Sequence, residues 1–246
     1  MKYVLEGCVD SLESARAVIE GGATRIELNS NVVIGGTTPS PELFRQIRLE
    51  SEIPMRAMIR PRFGDFCYTD SEFDIMRYSV EECQKMRANG VVFGILKPDG
   101  TLDMKRMEIL CRDADGMKLV LHRAFDVTRD AWESLEQVQE LKMHTILTSG
   151  QKPDVLSGRE CIAELIKKAQ GIEILAGAGV SADNIAAIYA ETGCTSYHMS
   201  AKEVHDSPMK FRRKEVSMGL PSLSEFERWQ SSTEKFIAAR KVLESL

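Results

Sequence analysis

Eight short apolar runs end near Cys8, Asn29, Arg60, Leu96, His122, Thr148, Gly177 and Met199, and successive ends stand 21 to 36 residues apart. Each interval has room for a loop, a crossover helix and a return, which parallel neighbours require and hairpins do not. Eight such units predict a (β/α)8 barrel of the TIM type. An open doubly wound sheet is the alternative, since spacing alone does not encode closure. A chain of 246 residues, 43% of them hydrophobic, fits one such barrel, so residues 1–246 are expected to form a single domain.

Helix starts are marked locally. Asp10 with Glu13, Thr69 with Glu72 and Ser222 with Glu225 fit N-caps with a carboxylate three residues on, and Ser40 precedes a proline suited to a first helical position. After the eighth run, residues 201–223 read as polar and irregular. Residues 224–246, with Phe226, Trp229, Phe236, Ile237 and Val242 in helical register, predict the closing helix.

A formal net charge of -5, from 32 Lys and Arg against 37 Asp and Glu, provides no broad positive field for nucleic acid or anionic lipid. The apolar run at Tyr3 to Leu5 is too short for a signal peptide, and no stretch approaches a membrane span. These features predict a cytoplasmic protein with no nucleic-acid or membrane partner, and a homodimer is the expected assembly. Six scattered cysteines (8, 67, 83, 111, 161 and 194) form no C-x-x-C pair and read as free thiols.

Strands covered on both faces should be almost wholly apolar, so ionisable residues near their ends are informative. By the period of two, Glu6 and Cys8 share a face of the first strand, Glu27 and Asn29 a face of the second, and Met58, Arg60 and Arg62 a face of the third. His122 ends the fifth and His198, with Ser200, the eighth. In a barrel all of them are expected at the C-terminal mouth, where barrel enzymes place their chemistry. Glu27, Arg60 and His122 are the candidate catalytic residues. The plain alternative is a buried ion network that neutralises itself, with structural histidines; a polar ring drawn from at least five strands is easier to explain by ligand binding.

The seventh unit passes from its strand through Gly177, Gly179 and Ser181 into a helix, and such a turn suits phosphate or carboxylate. His198 and Ser200 would complete that anion site. Arg60 and Arg62, followed by Gly64 and Asp65, could hold a second anionic group, or pair locally instead.

These residues, in this order, resemble the CutC family, a TIM-barrel family. The matching stretches are 25–28, 35–40, 58–62 with 64–66, 122–126, 147–150, 177–180, His198 with Ser200, and 207–212, so the resemblance covers about residues 6–213. It implies a role in copper homeostasis, with Cu(I) bound through cysteines at the ends of the first two strands. Cys8 matches the first position. Asn29 stands at the second, which removes a thiolate that Cu(I) prefers; Cys67 and Met199 are the soft substitutes on offer. Two functions therefore stand side by side. One is Cu(I) binding at Cys8. The other is an enzyme acting on a small phosphorylated or carboxylated metabolite, with Glu27 or His122 as acid or base, and Glu6, Arg62, Asp65, Gly177, Gly179, His198 and Ser200 around the ligand.

Overall fold

The computed structural model describes residues 3–213, 215–220 and 222–246. Eight parallel strands close in chain order: β1 (Val4–Val9), β2 (Arg25–Leu28), β3 (Met55–Met58), β4 (Gly90–Phe93), β5 (Lys118–Leu121), β6 (Thr145–Thr148), β7 (Glu173–Ala176) and β8 (Ser196–Met199). Pairing of β8 with β1 shuts the barrel and excludes the open sheet. Helices α1 (Leu12–Glu20), α2 (Pro41–Glu50), α3 (Asp70–Lys85), α4 (Met104–Asp113), α5 (Ala131–Glu140), α6 (Arg159–Lys168), α7 (Ala182–Thr192) and α8 (Thr233–Ser245) alternate with the strands.

The expected caps form at Thr69, whose capping box with Glu72 is complete, and at Ser40. Helix α1 is capped instead by Ser11, whose hydroxyl accepts from the Ser14 N–H. Asp10 turns away and accepts from the N–H of Val32, tying the loop after β2 to the end of β1. Ser222 caps no helix. Residues 202–206 and 227–231 pair antiparallel as strands β9 (Lys202–Asp206) and β10 (Glu227–Ser231), a hairpin where an irregular segment and the start of a helix were expected. Phe226 and Trp229 fit a helical spacing in the sequence, but Trp229 lies in β10 with the Lys202 ammonium 4.1 Å above its ring. Helix α8 begins only after Ser232, whose hydroxyl accepts from the N–H of Lys235.

Most of the core lies between the barrel and its helices, where Leu5, Ile26, Phe44, Met76, Phe125, Ile188 and Phe236 are excluded from solvent. The barrel's own interior is unusual. On one side it holds Met58, Val92 and Val120, in the manner of branched barrel cores. On the other it holds Glu6, Arg25, Arg56 and Glu173, a buried ion network made of residues that point inward by the two-residue period.

Candidate site at the C-terminal mouth

Strand β1 organises the site through its two neighbours. Its register sets Glu6 beside His198 of β8, and Cys8 beside Glu27 of β2. The Glu6 carboxylate takes up the Nδ1 of His198 at 2.8 Å, leaving Nε2 turned toward Glu27 Oε1 at 4.0 Å. The Cys8 thiol lies 3.9 Å from the same Glu27 oxygen. Donor atoms of Cys8, Glu27 and His198 all fall within 4.8 Å of one another, the only such group of three found among the described residues. Asn29 continues the inward face of β2, and its amide Nδ2 donates to Cys8 Sγ at 3.4 Å and to Glu27 Oε1 at 3.1 Å. It therefore offers the sulfur an N–H and not the oxygen a metal would take.

Above this cluster opens a cavity of about 290 Å³, walled by residues from seven strand ends, among them Glu27, Asn29, Arg60, His122, Leu147, Gly179, His198 and Ser200. A second cavity of about 260 Å³ lies under the β9–β10 hairpin and shares Cys8, Val32, Ser200 and Lys202 with the first. The hairpin, which the sequence did not disclose, thus forms one bank of the mouth.

Among the described residues, several buried polar atoms on side chains that line the main cavity have no protein partner: Glu27 Oε2, Asn29 Oδ1, Arg60 Nε and His122 Nε2. Their residues are 2%, 1%, 6% and 3% exposed, so solvent at the surface does not account for them. Buried polar groups are almost always hydrogen-bonded, and each exception costs about 1–3 kcal/mol unless something else fills the need. Four such atoms around one cavity mark a place where a ligand or ordered water belongs.

Charge is unevenly distributed. Burial, the largest single influence, would raise the Glu6 carboxyl, but Arg25, the His198 hydrogen bond and charge, and Arg56 together outweigh it, and Glu6 is held far below the usual carboxylate range. Glu27 is pushed up by burial and by the Glu6 charge more than His198 and Asn29 pull it down. Burial would lower His198, yet Glu27, Cys8 and Glu6 hold it well above 6.5. His122 goes the other way, pushed down to about 3 by burial and by Arg60. The Cys8 thiol is raised chiefly by burial. Two carboxyls and two histidines with opposed shifts in one cleft are a pattern of functional sites.

The expected residues do not all meet. Glu27, Arg60, His122, Gly179, His198, Ser200 and Cys8 line the cavity. Glu6 does not: it lies one layer lower, fully enclosed by Arg25, Arg56 and His198, so it orients a site residue rather than touching a ligand. Arg62 and Asp65 are also displaced. Strand β3 ends at Met58 and Pro61 cannot extend it, so the two-residue period fails and Arg62 turns outward to pair with Asp65 and Glu72. Gly177 serves packing, because a Cβ there would sit 2.7 Å from Leu147 Cδ1. Arg60 is largely committed: its terminal nitrogens donate to the carbonyls of Gly35, Gly36 and Gly64. Met199 borders the cavity, whereas Cys67 lies in the loop after β3 with its N–H bound by Asp65. Arg123, Phe66 and Lys202 also line the cavity; the first two lie in the matching stretches 122–126 and 64–66 but were not picked out as site residues, and no pattern in the sequence marked Lys202.

Fold and site together define a TIM barrel with a half-open pocket at its C-terminal mouth, lined by several ionisable side chains among apolar ones. The chain belongs to the CutC family, which it matches over residues 3–203. It is 44% identical over 238 residues to a CutC family protein of Parabacteroides distasonis, covering 96% of this chain and 98% of that one. A CutC family protein of Vibrio campbellii is 42% identical over 229 residues, covering 92% and 93%. Among solved structures, the CutC protein of Streptococcus agalactiae superposes with a TM-score of 0.77 at 31% identity, over 81% of this chain and 99% of that one. KGPDC from Streptococcus mutans shares the fold alone, with a TM-score of 0.63 at 9% identity over 99% of both chains.

Proposed function

We propose that this CutC-family barrel serves copper homeostasis by holding a single Cu(I) ion weakly between Cys8 and His198, within the cytoplasm. The observation that carries this reading is the grouping of Cys8, Glu27 and His198 donor atoms. Hydrogen bonding of His198 Nδ1 to Glu6 supports it, because a carboxylate behind a ligating imidazole fixes its orientation and leaves Nε2 for the metal. The solved relative from Streptococcus agalactiae is named for copper homeostasis. All six cysteines are free thiols, in keeping with a reducing compartment. Binding is weak because there is one soft ligand, and burial holds that thiol protonated. The test is a competition titration against a Cu(I) chelator under anaerobic, reducing conditions. Wild type should bind one ion and Cys8→Ser none; binding that survives Cys8→Ser overturns the reading.

A second reading is favoured by the unpartnered polar atoms and by a cavity much larger than an ion needs: an enzyme acting on a small phosphorylated or carboxylated metabolite. Glu27, with its raised affinity for a proton, would be the acid or base beside His198. Ala178 and Gly179 both take positive φ, and among the described residues no acceptor takes up the N–H groups of Ala178, Gly179 and Val180 at the cavity edge. Together with Arg123 they would hold the anionic group. On this reading millimolar inorganic phosphate raises the melting temperature, since a ligand that binds only the folded state stabilises it by about 2.7 kcal/mol at a hundredfold excess over Kd. An unchanged melting temperature across inorganic phosphate and a panel of phosphorylated and carboxylated metabolites would remove this second reading.

A further inference from the structure

We infer that His122 and Arg60 form a two-donor subsite for a carboxylate or carbonyl oxygen of a small ligand, with His122 acting as a neutral N–H donor and not as an acid or base. The inference rests on the second reading above and gives its ligand a chemical class.

The tautomer follows from local geometry. His122 ends β5, and its Nδ1 accepts a hydrogen bond from the backbone N–H of Ala124 at 3.1 Å. An imidazole nitrogen that accepts carries no proton, so in the neutral ring the proton resides on Nε2. That Nε2 is buried and, among the described residues, meets no protein acceptor, while the His122 side chain lines the cavity. Burial and the Arg60 charge keep the ring from taking a second proton at neutral pH. A ring with Nδ1 engaged and no readiness to become imidazolium is a poor acid and a poor base. What remains to it is donation.

Arg60 provides the second donor. Its Nε is likewise buried and unpartnered, while its terminal nitrogens are fixed on the carbonyls of Gly35, Gly36 and Gly64. The guanidinium therefore cannot swing toward solvent. Phe66 ties the two together: the Arg60 guanidinium carbon lies 5.0 Å from the centroid of its ring, and the His122 ring 4.8 Å from the same centroid. Gly94 at the end of β4 leaves room for this arrangement, since a Cβ there would stand 2.8 Å from His122 Cε1. Two rigid, desolvated N–H donors beside one aromatic ring and on residues lining one cavity, one of them on a cation, suit an oxygen that bears or develops negative charge. Glu27 lines the same cavity.

Two measurements test the subsite. Nitrogen-edited NMR of the imidazoles, with His122→Phe to assign the signal, should show His122 as the neutral Nε2–H tautomer between about pH 5 and 8. Calorimetric titration with oxalate should give binding that weakens roughly tenfold or more in His122→Phe, while inorganic phosphate, held at the Ala178 to Val180 turn, binds both proteins alike. An Nδ1–H tautomer or an imidazolium in wild type overturns the inference, as does oxalate binding that is absent from wild type or unchanged by His122→Phe. Phosphate binding that persists when oxalate fails leaves the enzyme reading standing without this subsite. Loss of both ligands from wild type sinks the two together.

Discussion

Asn29→Cys should tighten Cu(I) binding by roughly tenfold or more, at least about 1.4 kcal/mol. Strands β1 and β2 run side by side, and the Asn29 amide nitrogen already sits 3.4 Å from Cys8 Sγ, so a thiol at position 29 would lie within reach of the same ion. A second thiolate replaces an N–H donor, which cannot ligate at all, with the soft ligand that Cu(I) prefers. Cysteine is smaller than asparagine, and the space is otherwise closed by Gly36, where a Cβ would fall 2.4 Å from Asn29 Oδ1. Loss of the bond from Asn29 to Glu27 costs about 1 kcal/mol of stability, too little to unfold the chain. Competition titration of Asn29→Cys beside wild type and the double variant with Cys8→Ser gives the answer. If Asn29→Cys binds no more tightly than wild type, the strand ends do not form the copper site.

The larger stability effect is expected at Glu6. This carboxylate is fully buried and neutralises Arg25 and Arg56, with Glu173 as their other partner. Removing one member of a buried ion group leaves uncompensated charge, and Glu6→Gln should cost about 3–5 kcal/mol in denaturant unfolding. The pH dependence follows from the same contacts. A carboxyl depressed on folding contributes stability that is fully present above its ordinary value of 4.5 and is lost as pH falls toward its folded value. His198 is raised on folding, so its contribution is fully present below 6.5 and is lost as pH rises through its folded value. Glu6 and His198 together therefore favour the fold most between those limits and less on both sides, while His122, pushed down to about 3, works against them below 6.5 and Glu27, pushed up, above 4.5. In Glu6→Gln the acid limb should flatten, and the alkaline limb should diminish because His198 loses its nearest anion. A variant whose unfolding free energy matches wild type across this range would show that Glu6 does not carry the network.

Orientation of His198 explains why the same residue bears on both the fold and the candidate site. Glu6 Oε2 faces the arginines and Oε1 faces the imidazole, so one carboxylate joins the ionic floor of the barrel to the mouth. A barrel interior filled only with branched apolar side chains would be drier and would hold its ligating histidine less firmly.

Much of this protein was legible in the order of its residues. Eight apolar runs at crossover spacing specified parallel β/α units, because a parallel return needs a helix between strands. The two-residue period placed Glu6 with Cys8 and Glu27 with Asn29 on inward faces, since strand side chains alternate whatever the surroundings. Cap signals at Thr69 and Ser40 are local and survived intact. What the sequence could not determine depends on distant partners. Closure required β8 to meet β1, and that meeting alone set His198 against Glu6, 192 residues away in the chain. The depth of each inward residue followed from the stagger of the closed barrel, which sank Glu6 beneath the cavity and kept Glu27 on its wall. Arg62 left the mouth because Pro61 ended the alternation and Glu72, on the next helix, offered a nearer charge. The hairpin of β9 and β10 was hidden because its two strands lie far apart in sequence and each reads as helix or loop alone; cross-strand pairing, not local propensity, makes them strands.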